Sequence, residues 1–129
     1  MGEERNRVLI VDDDRSILRV FTRVFEKNGY VVDTADTGKE AFAKLLNNHY
    51  DVVLLDIQLP DMDGTDLLLK LPDKAPETVK IIITGHSTME RGSLAAEYGA
   101  DDYLVKPVQP EELLVTIREK LEAFQKTKL

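Results

Sequence analysis

The chain contains no cysteine and no tryptophan. Without cysteine there is no disulfide, no thiol nucleophile and no thiolate metal site. It has only two histidines, His49 and His86, too few for a zinc site built from three imidazoles. A basic excess is missing too: 17 Lys and Arg stand against 24 Asp and Glu, a formal charge of −7. With that balance and no expected basic stripe, neither nucleic acid nor an anionic membrane is expected as a direct partner. No apolar run approaches the ~20 residues that span a bilayer. Met1 to Arg7 is polar and charged, unlike a signal peptide, so a soluble cytoplasmic protein is expected. What remains is ordinary: 129 residues, 43% hydrophobic, enough for one independent core.

Strand-like and helix-like stretches alternate along that core. Val8–Val11 is a short continuous apolar run ending at Asp12, the pattern of a parallel strand buried on both faces. Ile17, Phe21, Val24 and Phe25 then share a helical face, and Asn28-Gly29 reads as its stop. Asp14 reads as an N-terminal residue of that helix, favoured there by the dipole. Tyr30–Ala35 is a less apolar strand, nearer an edge. Thr37 and Glu40 have the spacing of a capping box before a helix carrying Ala41, Phe42, Leu45 and Leu46.

Val52–Leu55 is a second buried-type strand, ending at Asp56. The loop Gln58–Gly64 follows, in which Asp61 and Asp63 read as loop and helix-start residues. A short helix begins at Thr65 and stops at Pro72. Val79–Ile83 is a fourth strand, ending at Thr84. Ser87 and Glu90 repeat the capping-box spacing before a helix closing at Gly99. Asp102–Val105 is the fifth strand, stopping at Lys106-Pro107. Pro110 opens a last helix with Leu114, Ile117, Leu121 and Phe124 inward. Five βα units in a row predict an α/β fold with a parallel sheet and helices on both faces.

In an open parallel sheet, ligands bind outside the carboxyl ends of the strands. Four of the five expected strands end there in Asp12-Asp13, Asp56, Thr84 and Lys106. One polar residue at a strand end needs no function, because polar residues stop strands. Three carboxylates, a hydroxyl and an ammonium on one rim are harder to explain that way. Two carboxylates ~4 Å apart repel by about 1 kcal/mol in water and ~4 kcal/mol at an effective dielectric near 20. Lys106 offsets one charge, and a hard divalent cation with oxygen ligands suits the rest. A cation, an ammonium and a hydroxyl around one carboxylate also suit phosphoryl transfer to an aspartyl nucleophile, Asp56.

Val8–Asp14 (VLIVDDD), Leu54–Gly64 (LLDIQLPDMDG), Ile81–Gly85 (IIITG) and Gly99–Pro107 (GADDYLVKP) together resemble the receiver domain of two-component response regulators. The resemblance runs from residue 7 to about 124, leaving short polar termini at 1–6 and 125–129. It implies a flavodoxin-like fold: five parallel strands in the order 2-1-3-4-5, flanked by five helices. It implies that Asp56 accepts a phosphoryl group from a histidine of a sensor kinase or phosphotransfer protein. It assigns Mg²⁺ (or Mn²⁺) to Asp12, Asp13, Asp56 and the backbone carbonyl of Gln58. Lys106 would pair with the phosphoryl oxygens, Thr84 and Tyr103 would be switch residues, and Lys106-Pro107 would be cis. The implied output surface is the face formed by the fourth helix, the fifth strand and the last helix. It would contact a downstream protein, an output domain outside these residues, or a second copy in a phosphorylation-linked homodimer.

By this reading the protein is no conventional enzyme; it catalyses only its own phosphorylation and dephosphorylation. Gln58 and His86 are expected to tune the second step by controlling water. His49 is expected to be a plain surface residue, and Gly64 and Gly85 to serve backbone geometry beside the site. Val108 stands where the family often has phenylalanine. The competing readings are a phosphorylation-independent binding module, an aspartyl phosphohydrolase and a nucleotide or flavin binder. Gln58 occupies the place where a haloacid-dehalogenase-type hydrolase would want its second acid. No glycine-rich phosphate loop occurs, which counts against the nucleotide reading.

Overall fold

The computed structural model describes residues 6–70, 78–85 and 99–127, with side chains described as far as Ala123. The strands are β1 (Arg7–Val11), β2 (Val31–Ala35), β3 (Val52–Leu55), β4 (Val79–Thr84) and β5 (Asp102–Val105). The helices are α1 (Arg15–Lys27), α2 (Gly38–Asn47), α3 (Gly64–Leu69) and α4 (Pro110–Thr127). One sheet runs in the order β2-β1-β3-β4-β5, and every neighbouring pair is parallel. The fold is thus the flavodoxin-like sheet implied by the resemblance. The expected helix opening at Ser87 lies outside the described residues, as do His86, Leu71 and Pro72.

Burial follows the sheet order. Central β3 is buried at every residue, whereas edge strands β2 and β5 are mostly half-buried. Val8, Ile10, Val52, Leu54, Ile81 and Ile83 point to α1 and α4. Leu9, Val11, Val53, Leu55 and Ile82 point the other way, against Ala41, Leu67 and Leu68. The period-2 alternation of a strand produces both layers from one continuous apolar run.

Asp14 is the N-cap of α1 and stands outside the helix proper, accepting from Ser16 N at 2.9 Å and Ile17 N at 3.3 Å. Such a cap stabilises by about 1 kcal/mol. Gly29 ends the helix at φ 89°, a conformation that costs glycine little. The inner face of α1 is Leu18, Phe21 and Phe25, with Ile17 and Val24 half-buried beside it. Its outer face corrects one expectation. Arg15, Arg19, Arg23 and Lys27 fall at four-residue spacing, so a basic stripe does exist within this acidic chain.

Leu46 and Leu69 face solvent, while Leu113 joins Leu114, Ile117 and Leu121 in the core. The side chain of Phe124 lies outside the description. No helix among the described residues is long and apolar enough to cross a membrane.

Candidate functional site

Strand order brings the rim residues together. The chain crosses from β1 to β2 on one side, then returns to place β3 on the other side of β1. A crevice opens between β1 and β3 where the connections diverge, the usual ligand position in such sheets. Val11 is in register with Leu55, so the next residues, Asp12 and Asp56, lie side by side. Asp56 N donates to Val11 O at 3.0 Å. On the far side Thr84 is in register with Val105, and Lys106 N donates to Thr84 O at 2.8 Å. Lys106 therefore leaves the sheet beside Asp56.

Lys106 Nζ donates to Asp12 Oδ2 at 2.7 Å and to Asp56 Oδ2 at 2.9 Å. The other oxygens are also engaged: Asp14 N donates to Asp12 Oδ1 at 2.9 Å, and Gln58 N donates to Asp56 Oδ1 at 3.0 Å. Asp12 and Asp56 are buried; Asp13 is exposed. One carboxylate oxygen from each of the three lies within 4.8 Å of the others. Three carboxylates against one ammonium leave the cluster with two negative charges in excess. That charge, and an all-oxygen donor set, fit a hard divalent cation.

The electrostatics record the crowding. Burial pushes the Asp12 carboxyl above the usual carboxylate range, and Asp56 pushes the same way. The Lys106 bond and the Asp14 N–H only partly offset this. For Lys106, burial alone would lower the ammonium's pKa. Hydrogen bonds to Asp12 and Asp56 outweigh it, and the pKa is raised.

Thr84, the last residue of β4, is fully buried. Tyr103 on β5 is half-buried against the layer containing Ile82. The Lys106-Pro107 peptide is cis. Val108 and Pro107 join Ile17, Phe21, Leu54 and Ile83 around a cavity of about 420 Å³ behind the carboxylates. His49 is exposed, 3.3 Å from Asp51 and remote from this rim in the fold.

Two further residues act on the loop after β3. Gly64 lies so close that a Cβ there would sit 2.5 Å from Asp56 O and 2.9 Å from Ile57 Cα. Among the described residues, a Cβ at Gly85 would meet nothing within 4 Å. Asp63 is the N-cap of α3, as a helix-start residue should be. Asp61 instead reaches α2, accepting from Gly38 N at 2.8 Å and Lys39 N at 2.9 Å. Those two bonds lower its pKa. No local spacing could have revealed this partnership, because the partners are 22 and 23 residues away.

A doubly wound parallel sheet with three acids, a buried hydroxyl and an ammonium at its switch-point rim defines a narrow class of protein. Known proteins bear this out. The family model for the response regulator receiver domain matches residues 8–118, so the chain belongs to the response regulator receiver family. It is 38% identical over 126 residues to the alginate biosynthesis transcriptional regulatory protein AlgB of Pseudomonas aeruginosa, covering 98% of this chain. The matched part is 28% of that relative's length. A receiver domain protein (CheY-like) from Methanospirillum hungatei has a crystal structure with TM-score 0.93, 42% identity, and 96% and 99% of the two chains covered. A Burkholderia pseudomallei response regulator has a crystal structure with a phosphorylated aspartic acid, calcium ion and citrate. It matches with TM-score 0.84 and 25% identity over 95% of this chain and 72% of that one.

Proposed function

We propose that this chain is a phosphorylation-controlled switch in which Asp56 accepts a phosphoryl group from a phosphohistidine of a kinase or phosphotransfer protein. The observation that carries the reading is the double hydrogen bond from Lys106 Nζ to Asp12 and Asp56. It holds an ammonium against the acceptor carboxylate, where phosphoryl oxygens would gather charge. The receiver unit runs from residue 7 to about 124. The phosphorylated aspartic acid in the Burkholderia neighbour supports the same chemistry.

Asp12, Asp13, Asp56 and the Gln58 carbonyl would hold Mg²⁺ or Mn²⁺, which would neutralise charge on the transferring phosphoryl. An Asp56 carboxylate oxygen forms the new P–O bond while the donor's P–N bond breaks. The imidazole leaves and takes up a proton from solvent. Lys106 turns from Asp56 to the phosphoryl oxygens while keeping its bond to Asp12. Thr84 donates its hydroxyl to the phosphoryl, and Tyr103 turns inward. That pair biases an existing equilibrium between two output-surface arrangements. Water later attacks phosphorus, returning the Asp56 carboxylate and inorganic phosphate. Gln58 and His86 set how readily it arrives. The partners on the output side are a downstream protein, an attached output domain or a second copy.

Intact mass after incubation with acetyl phosphate and Mg²⁺ tests the reading. One added phosphoryl is expected in the unaltered chain and none in Asp56→Asn or with EDTA. An adduct that persists in Asp56→Asn would refute the assignment.

A further inference from the structure

The basic stripe on α1 has no part in the phosphoryl chemistry. Four of the helix's 13 residues are cations spaced four apart, and its one acid is Glu26. Like charges at that spacing repel along a helix. Arg15 also stands at the first helical position, where the dipole disfavours a cation, and no acid occupies the first turn. Asp36 pairs with Arg15 at 3.3 Å. Among the described residues, no acid lies within ion-pair distance of Arg19, Arg23 or Lys27. The helix thus carries an arrangement that weakens it locally, in a chain whose net charge is −7.

The stripe borders a groove of about 750 Å³ between α1 and edge strand β2. Arg19, Arg23 and Lys27 line one wall, and Lys44 of α2 enters from the other. Of the two acids on the groove, Asp33 is already engaged: Tyr50 Oη donates to it at 2.6 Å and Arg7 pairs with it at 3.4 Å. Lys44 is held by Glu40 at 3.3 Å. Glu26 is left as the counter-charge to three cations. Thr22 Oγ1, on the same groove, is buried without a hydrogen-bond partner. The groove therefore offers an excess of donors and positive charge.

We propose that the α1–β2 groove docks an acidic helical segment of a protein partner, with carboxylates on one face at four-residue spacing. From Arg15 to Lys27 the ladder is about 18 Å long at 1.5 Å per residue. A partner helix with the same spacing sets one carboxylate against each of Arg19, Arg23 and Lys27, the cations of α1 that line the groove. A nucleic acid shares the sign, but its continuous line of phosphates would also run over the acidic remainder of a chain whose net charge is −7, whereas a short acidic helix is confined to the groove. The groove opens beside β2, away from Asp56, so the proposal stands or falls independently of the phosphoryl reading.

The test uses the full 129-residue chain, ¹⁵N-labelled, titrated at low salt with three probes. They are a capped alanine-based helical peptide with glutamate at every fourth position, a random-sequence DNA duplex, and phosphatidylcholine–phosphatidylserine vesicles. The expected result is saturable peptide binding that moves the amides of α1 and β2. Glutamine in place of glutamate should weaken it at least about tenfold, and so should Arg19→Glu with Arg23→Glu. Circular dichroism and the urea midpoint report whether that variant folds. Should it not, Arg19→Gln with Arg23→Gln replaces it, with a smaller loss expected. The proposal is overturned if the peptide does not bind, or binds equally well to the folded variant. It is also overturned if DNA or vesicles bind the groove more tightly than the peptide does.

Discussion

Lys106 and Asp12 lie 94 residues apart in the chain, yet the lysine Nζ donates to the aspartate Oδ2 at 2.7 Å. The same ammonium reaches Asp56 at 2.9 Å. One flexible side chain thus binds the ends of β1 and β3 from the loop after β5. The two buried carboxylates depend on it for compensation.

Replacing Lys106 by methionine removes that compensation and leaves the two acids facing each other. Breaking a buried pair costs 3–5 kcal/mol. Lys106 keeps about a quarter of its side chain exposed, at 23%, so roughly 2 kcal/mol is expected here. Urea unfolding at pH 7 with EDTA should show a lower midpoint with an unchanged slope. An unchanged midpoint would mean that the ammonium does not hold this rim together.

Asp12→Asn should act in the opposite direction. The folded state raises the Asp12 pKa, so it favours the neutral carboxyl more than the unfolded chain does. That group therefore costs stability as pH rises from the ordinary carboxylate range through the raised value. Without metal, the asparagine variant should melt higher than the unaltered chain. With Mg²⁺ the order should reverse: the unaltered chain gains about 2.7 kcal/mol at a hundredfold excess over Kd, and the variant gains little. Thermal melts with and without Mg²⁺ separate the two effects, and equal Mg²⁺ stabilisation of both proteins would remove Asp12 from the metal shell.

Alkali should weaken the fold through two groups at opposite ends of the sheet. The Lys106 pKa is raised, so its stabilisation is complete below about 10.4, the unperturbed lysine value, and is lost as pH rises past its folded value. Tyr50 is buried, and burial followed by its bond to Asp33 raises the phenol's pKa strongly. The unfolded chain ionises this tyrosine near 10, before the folded one does, so stability falls from there upward. Tyr50→Phe should flatten the decline in unfolding free energy above that pH. A decline of the same slope in the variant would exclude the tyrosine as a source.

Gly64→Ala places a methyl group 2.5 Å from Asp56 O, against backbone that cannot swing aside. A loss of about 2 kcal/mol is expected, within the range for overpacked sites. A Cβ at Gly85 meets nothing within 4 Å among the described residues, so Gly85→Ala should change stability little. Paired denaturation curves check the contrast, and similar losses in both variants would count against the close approach at Gly64.

Much of this architecture was legible because each strand delivers its message locally. A continuous apolar run marks each inner strand, the residue after it marks the rim, and parallel pairing then aligns the rims. Asp12, Asp56 and Lys106 meet for that reason. What escaped depends on distance or on one-residue phase. Asp61 caps a helix 23 residues upstream, which no local spacing encodes. Leu46 and Leu69 sit at helix ends, beyond the reach of the core, although they continue an apolar pattern. Leu113 is buried because the face α4 turns to β4 includes it as well as Leu114. The basic stripe was hidden by the overall acidic balance, since composition does not report which face a charge lies on.

The most direct test of the central claim locates the phosphoryl group itself. After phosphorylation with acetyl phosphate and Mg²⁺, borohydride reduction converts an aspartyl phosphate to homoserine, which peptide mass spectrometry places in the sequence. Homoserine at position 56 and at no other aspartate is the predicted result. Homoserine at Asp12 or Asp13, or none despite an added phosphoryl in the intact mass, would contradict the assignment of Asp56 as the acceptor.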